Sequence, residues 1–142
     1  MAAALLLAAC SGSSAGPGGA VGDDSSPRTV QLTMTDQLRF DPDRIQVRRG
    51  ETVRFVVRNL SNAAHEAYIG TDEEQRLHAT VHAALPADQQ AGVNHVGYAV
   101  HFPPFGNGEF VAKFDAPYEW VIGCHYPGHY EAGMRAVIEV ID

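Results

Sequence analysis

Apolar and polar residues alternate in several short stretches of this chain. Val30, Leu32 and Met34 are separated by polar neighbours, the pattern of a strand with one buried face. Ile45 and Val47 repeat it after the turn signal Asp41-Pro42-Asp43, and Val53, Phe55 and Val57 do so again after Gly50-Glu51. Towards the C-terminus, Phe110, Ala112 and Phe114 share one face, as do Trp120, Ile122 and Cys124. Met134, Ala136, Ile138 and Val140 continue the series. Short strands divided by Gly and Pro turns predict an all-β domain, a Greek-key β-sandwich or barrel with antiparallel strands.

One segment departs from this period. Thr71-Asp72-Glu73-Glu74 is a capping box, with Thr71 as N-cap and Glu74 three residues into the helix. Leu77, Val81 and Leu85 then recur every fourth residue, and Pro86 closes the run. The pattern predicts one inserted amphipathic helix from Asp72 to about Leu85, with those three residues on its apolar face. From Pro86 to Asn107 the sequence reads as loop, with the apolar patch YAVHFPPFG inside it.

The N-terminal residues follow different rules. MAAALLLAAC is apolar but too short to span a bilayer, and SGSSAGPGG follows it at once. Leu7-Ala8-Ala9-Cys10 resembles the bacterial lipobox, which implies cleavage before Cys10 and lipidation of its sulfur. Residues 1–10 are thus expected to be a signal segment. Residues 11–28, rich in Gly, Ser and Pro, are expected to be a tether with a reach of roughly 20–25 Å. A single domain follows over 29–142, its helical and loop insert at about 71–107. This organisation places the chain in the bacterial cell envelope, periplasmic or extracytoplasmic, joined to the membrane through lipid alone. With a formal charge of −7 over 142 residues, nucleic acid is an unsuitable partner, because phosphates require a basic face. A monomer is expected.

With Cys10 lipidated, Cys124 is the only thiol left, and a lone thiol in an oxidising compartment calls for a reason to persist. CHYPGHYEAGM, Cys124 to Met134, supplies one: it gathers a thiol, two imidazoles and a thioether. Soft sulfur donors favour Cu(I), imidazole suits both copper states, and two His with one Cys and a long axial Met form an electron-transfer copper site. Cys124, His129 and Met134 come from this loop, and His65, in NAAHEAYIG beyond the strand Thr52–Asn59, is the best second imidazole. Taken singly, Cys124 reads first as an inert buried thiol and Met134 first as a core residue, and His65 has a turn residue as its plain alternative. Only their conjunction favours metal.

FDPDRIQVRRGETVRFVVRN, the upstream His65 and the terminal C-x4-H-x4-M together resemble the cupredoxins, the blue-copper family of plastocyanin and azurin. The resemblance covers about Phe40 to Ile141, apart from the insert, and the fuller pattern HE…CH-x-PGH-x-x-x-GM is similar to a bacterial branch of small copper-binding cupredoxins. It implies a cupredoxin-like sandwich with one type 1 copper centre, Cu(I)/Cu(II), held equatorially by His65, Cys124 and His129 and axially by Met134. The function expected is that of a one-electron carrier outside the cytoplasmic membrane, not an enzyme, with redox proteins or copper acceptors as partners. The first alternative is a copper-binding module for resistance or delivery. The second is a copper enzyme with an additional copper.

The remaining donors have supporting or competing roles. His125 adjoins Cys124, so in a strand its ring points away from the copper and packs behind it. Glu66 is either a solvated carboxylate or a residue that orients the Cys loop from behind the ligands. His78 and His82 stand four apart on the expected helix; with His95 and His101 they make a candidate second metal site. The plainer expectation for these four is exposure on the insert. An apolar rim of Pro127, Gly128, Tyr130, Ala132 and Gly133 around His129, extended by Phe102 to Phe105, suits brief docking.

Overall fold

The computed structural model describes residues 27–86, 89 and 98–142. The signal segment with the lipidation candidate Cys10, the tether as far as residue 26, and His95 lie outside them; Arg28, expected as the last tether residue, instead opens the first strand. Two sheets face each other. The first runs β2(Arg39–Asp41), β1(Arg28–Thr35), β4(Thr52–Asn59), β7(Asn107–Lys113). The second runs β3(Arg44–Arg48), β9(Arg135–Ile141), β8(Glu119–Gly123), β5(His65–Gly70), β6(Tyr98–Phe102).

Alternation along each strand builds the core between the sheets. Leu32, Met34, Val53, Phe55 and Val57 point inward from one layer; Ile45, Val47, Ile122, Ala136 and Ile138 meet them from the other. Phe55 stacks on Phe110 at 4.9 Å and meets Phe114 edge-on at 6.3 Å, an aromatic cluster within the core.

Three expectations require correction. The strands are not all antiparallel: β1 runs parallel to β4, with Val30 opposite Phe55, and β3 parallel to β9, with Ile45 opposite Ile138. Alternating burial is the same in either direction, so the pattern carried no information on this point. The stretch Pro86 to Asn107 is not all loop, because Tyr98–Phe102 forms β6 and pairs antiparallel with β5, His65 facing Phe102 and Glu66 facing His101. Phe102 is accordingly a core residue, not part of a docking rim, while Phe105 remains 69% exposed.

The third correction concerns the helix α1(Asp72–Ala83). Its capping box is present, Thr71 accepting from the Glu74 amide while the Glu74 carboxylate accepts from the Thr71 amide. Its buried face, however, is Gln75, His78 and His82, whereas Leu77 is 60% and Val81 38% exposed. The helix lies on the outer face of β5, and Gln75 fastens it there by donating to the carbonyls of Tyr68 (3.1 Å) and Val121 (2.6 Å). Tyr68 stacks flat on the His78 ring at 3.9 Å. Every residue of β5 is buried in consequence, on one side by the core and on the other by this polar layer.

Candidate metal centre

β5 begins at His65, whose ring enters the end of the sandwich core and is fully buried. β8 ends at Gly123, so Cys124 is the first residue beyond the sheet and keeps the inward direction of Ile122. A side chain at Gly123 would displace its neighbours: a Cβ there would lie 2.5 Å from Gln75 Oε1 and 2.7 Å from a Tyr130 ring carbon. The chain then coils through two glycines with positive φ, Gly128 at 81° and Gly133 at 99°, before β9. The His129 amide donates to the Tyr126 carbonyl at 2.9 Å, and the Met134 amide to the His129 carbonyl at 2.9 Å. From across the sandwich Arg39 Nη1 donates to the Ala132 carbonyl at 2.6 Å. The loop is therefore fixed by its own backbone and by β2.

These elements bring His65, Cys124 and His129 together, one ligand atom of each within 4.8 Å of the others. His65 Nδ1 lies 3.2 Å from His129 Nδ1, and Cys124 Sγ lies 3.9 Å and 3.4 Å from those two nitrogens. Nitrogens at about 2.0 Å and a sulfur at about 2.3 Å, in one plane with a cation, would be about 3.5 Å (N–N) and 3.7 Å (N–S) apart. The separations fit a trigonal metal. Met134, fully buried, leads into β9, and its carbonyl accepts from the Cys124 amide at 3.2 Å. Thiolate, two imidazoles and a thioether are the donor types of a type 1 copper site, and the residues present fit that ion.

Burial governs the electrostatics. It pushes the Cys124 thiol up to about 12, against the amides of Glu66 and Tyr126, which favour the thiolate; the Glu66 charge adds to the rise. The Glu66 amide reaches Sγ at 3.4 Å. Burial also lowers His65 to about 4, with the neighbouring His129 adding to it, and lowers His129 despite the opposing charges of Glu131 and Glu66. Both rings are thus neutral near pH 7, with a lone pair free for metal.

Sequence reasoning missed Ser61. Its Oγ lies 2.8 Å from His65 Nε2, and the same oxygen accepts from the Ala63 amide at 2.9 Å. When His65 turns Nδ1 to the metal, Nε2 carries the proton and donates to Ser61. Asn59 at the end of β4 holds this loop, its side chain donating to the carbonyls of Ala63 (2.8 Å) and Pro103 (2.9 Å) and accepting from the Ser61 amide at 3.0 Å. A serine one turn before a histidine has no distinctive pattern in sequence. Ser61→Ala is expected to weaken copper affinity about tenfold, the lower end for groups that orient a ligand, with the fold intact. Competition with a copper chelator checks it.

His125 lies behind the site. Its ring is buried, with Nε2 2.7 Å from Gln75 Oε1, and stacks on Tyr130 at 4.5 Å. Glu66 points the same way. It is fully buried, and its Oε1 accepts from the His125 amide at 2.6 Å. Burial raises the Glu66 carboxyl, but His78, the His125 amide and His82 outweigh it and leave the group below its usual value. His78 and His82 are buried too, and His101 is half-buried, so the expectation of exposed insert histidines fails for these three.

Comparison with known proteins agrees with the geometry. Residues 28–141 match the profile of the copper binding proteins, plastocyanin/azurin family. A copper-resistant cuproprotein CopI of Rubrivivax gelatinosus is 41% identical over 125 residues, covering 87% of this chain and 73% of the relative. The protein of that name from Pseudomonas aeruginosa is 26% identical, with 80% of this chain and 76% of the relative covered. Among solved structures, the dithionite-reduced auracyanin of Roseiflexus castenholzii superposes with a TM-score of 0.66 at 25% identity, covering 82% of this chain and 99% of that one.

Proposed function

The chain belongs to the plastocyanin/azurin family of copper-binding proteins, and on that premise we propose that it serves copper tolerance in the bacterial cell envelope, holding copper through His65, Cys124, His129 and Met134. The observation that carries this reading is the relative named a copper-resistant cuproprotein, 41% identical across most of the chain. It reverses the order expected from sequence, in which electron carriage came first and resistance second. Bound copper supplies a one-electron couple between Cu(I) and Cu(II) at the thiolate.

The chain's own residues do the rest. Cys124 gives up its proton to become the strong donor, and His65 and His129 present neutral Nδ1 atoms. Full burial of Cys124 and His65 keeps water from the sulfur, which protects it from oxidation. His129 is only half-buried, and Pro127, Gly128 and Ala132 around it are exposed. That weakly polar rim is the surface proposed for a copper acceptor or redox partner, with lipid at Cys10 tethering the domain nearby.

A second reading, one-electron carriage, is favoured by the stiffness of the donor set. His65 is clamped by Ser61, and the Cys124–Met134 loop by its backbone bonds and Arg39. Such a scaffold limits rearrangement between oxidation states. The deciding experiment deletes the gene and measures growth against copper. Tolerance is expected to fall, and to return with the intact chain but not with Cys124→Ser. Unchanged tolerance, with rapid electron self-exchange by the purified protein, would leave the carrier reading in its place.

A further inference from the structure

Beneath α1 lies a second cluster of donors that the thiolate site does not use. Glu66 enters it from the outer face of β5, His101 from the facing position on β6, and His78 and His82 from adjacent turns of the helix. We propose that Glu66, His78 and His82, with His101 completing the set, form a second metal site for a divalent first-row cation, Cu2+ or Zn2+.

Geometry supports this first. One ligand atom each of Glu66, His78 and His82 lie within 4.8 Å of one another. His78 Nε2 is 3.1 Å from Glu66 Oε1, His82 Nε2 is 3.7 Å from Oε2, and His101 Nε2 is 3.9 Å from Oε2. Four ligands at about 2.0–2.1 Å around a tetrahedral cation stand about 3.4 Å apart, so a small contraction closes the set of Glu66, His78 and His82, and a larger movement of His101 completes it.

Burial supports it next. The Glu66, His78 and His82 side chains are at most 1% exposed, and buried charge is normally paired or bound to metal. Both ring nitrogens of His101 are buried with no hydrogen-bond partner among the described residues. The helix has an attachment independent of the cluster, because Gln75 already fastens it to the carbonyls of Tyr68 and Val121. Donor type then selects the cation: three imidazoles and one carboxylate suit Cu2+ or Zn2+ and lack the oxygens that Ca2+ or Mg2+ require. His125 is excluded from the set because Gln75 occupies its Nε2, while its amide fixes Glu66.

Glu66 also joins the two centres. Its amide donates to Cys124 Sγ and its carboxylate serves the second cluster, so one residue contacts both. The proposal does not depend on which role the thiolate site plays.

The test is metal content of the full chain after saturation with Cu2+ or, separately, Zn2+ and desalting. About two equivalents are expected in the unsubstituted chain with at least one of these ions, and about one in His78→Ala/His82→Ala. The double variant should keep the thiolate-to-copper band, which shows that fold and first site survive. In the copper-loaded chain, electron paramagnetic resonance should show a second signal of ordinary nitrogen-ligated Cu2+ if copper is the ion retained. One equivalent in the unsubstituted chain with both ions would overturn the proposal, as would two equivalents persisting in the double variant. Should that variant lose the band, His82→Gln, which keeps side-chain bulk and polarity, replaces it under the same criteria.

Discussion

Cys124→Ser is expected to abolish the intense thiolate-to-copper absorption and to weaken Cu(I) binding by more than about 100-fold. Loss of a group that merely orients a ligand costs about 10–100-fold, and removing the only strong anionic donor costs more. A serine hydroxyl at this depth is a poor substitute. It is fully buried, it does not ionise in the accessible pH range, and oxygen is a hard donor where Cu(I) prefers sulfur. The fold should tolerate the change, because the hydroxyl still accepts from the Glu66 amide that now reaches Sγ. Visible spectra with Cu2+ and competition with a Cu(I) chelator measure the two effects. Retention of the band would remove Cys124 from the centre.

The contrast between the two donor clusters shows what the sequence could convey. The thiolate site was legible because three of its residues sit on one loop with fixed spacing, Cys124, His129 and Met134, and because strand alternation located the sheets that frame it. His65 was legible as the imidazole beyond β4. The layer under α1 was not. Helical periodicity is read by assuming that apolar residues face inward, and here Leu77 and Val81 face solvent while Gln75, His78 and His82 are buried. That inversion follows from what the helix covers: the outer face of β5 carries Glu66 and Tyr68, and polar groups there call for polar partners. The capping box fixed where the helix starts but carried no information on which side faces the sheet. β6 was hidden for a related reason, since YAVHF lies among turn residues and pairs through a contact distant in sequence. Ser61 and Asn59 act through single hydrogen bonds, which leave no periodic trace.

Copper affinity should rise about tenfold per pH unit between pH 7 and pH 9, a gain of about 100-fold over that span. The sign follows from which protons leave. In the copper-free protein, burial holds the Cys124 thiol up at about 12, so it is protonated throughout this range. The bound form requires thiolate, so each copper that enters expels one proton. His65, lowered to about 4 by burial, is already neutral and releases none; His129, lowered as well, behaves alike. A thiol with the usual value of about 8.5 would give a slope that flattens before pH 9, because the thiolate would by then predominate. The unbroken slope is therefore the signature of burial at Cys124. Below about pH 4 a second proton joins from His65, and the dependence should steepen as acid drives copper out. Chelator competition at half-unit intervals tests the slope, and proton release in weakly buffered solution tests its cause, with about one proton per copper expected at pH 7. A plateau between pH 8 and pH 9 would mean that water or the Glu66 and Tyr126 amides stabilise the thiolate more than burial opposes it. In that case Cys124 would bind copper at lower energetic cost than its buried position implies.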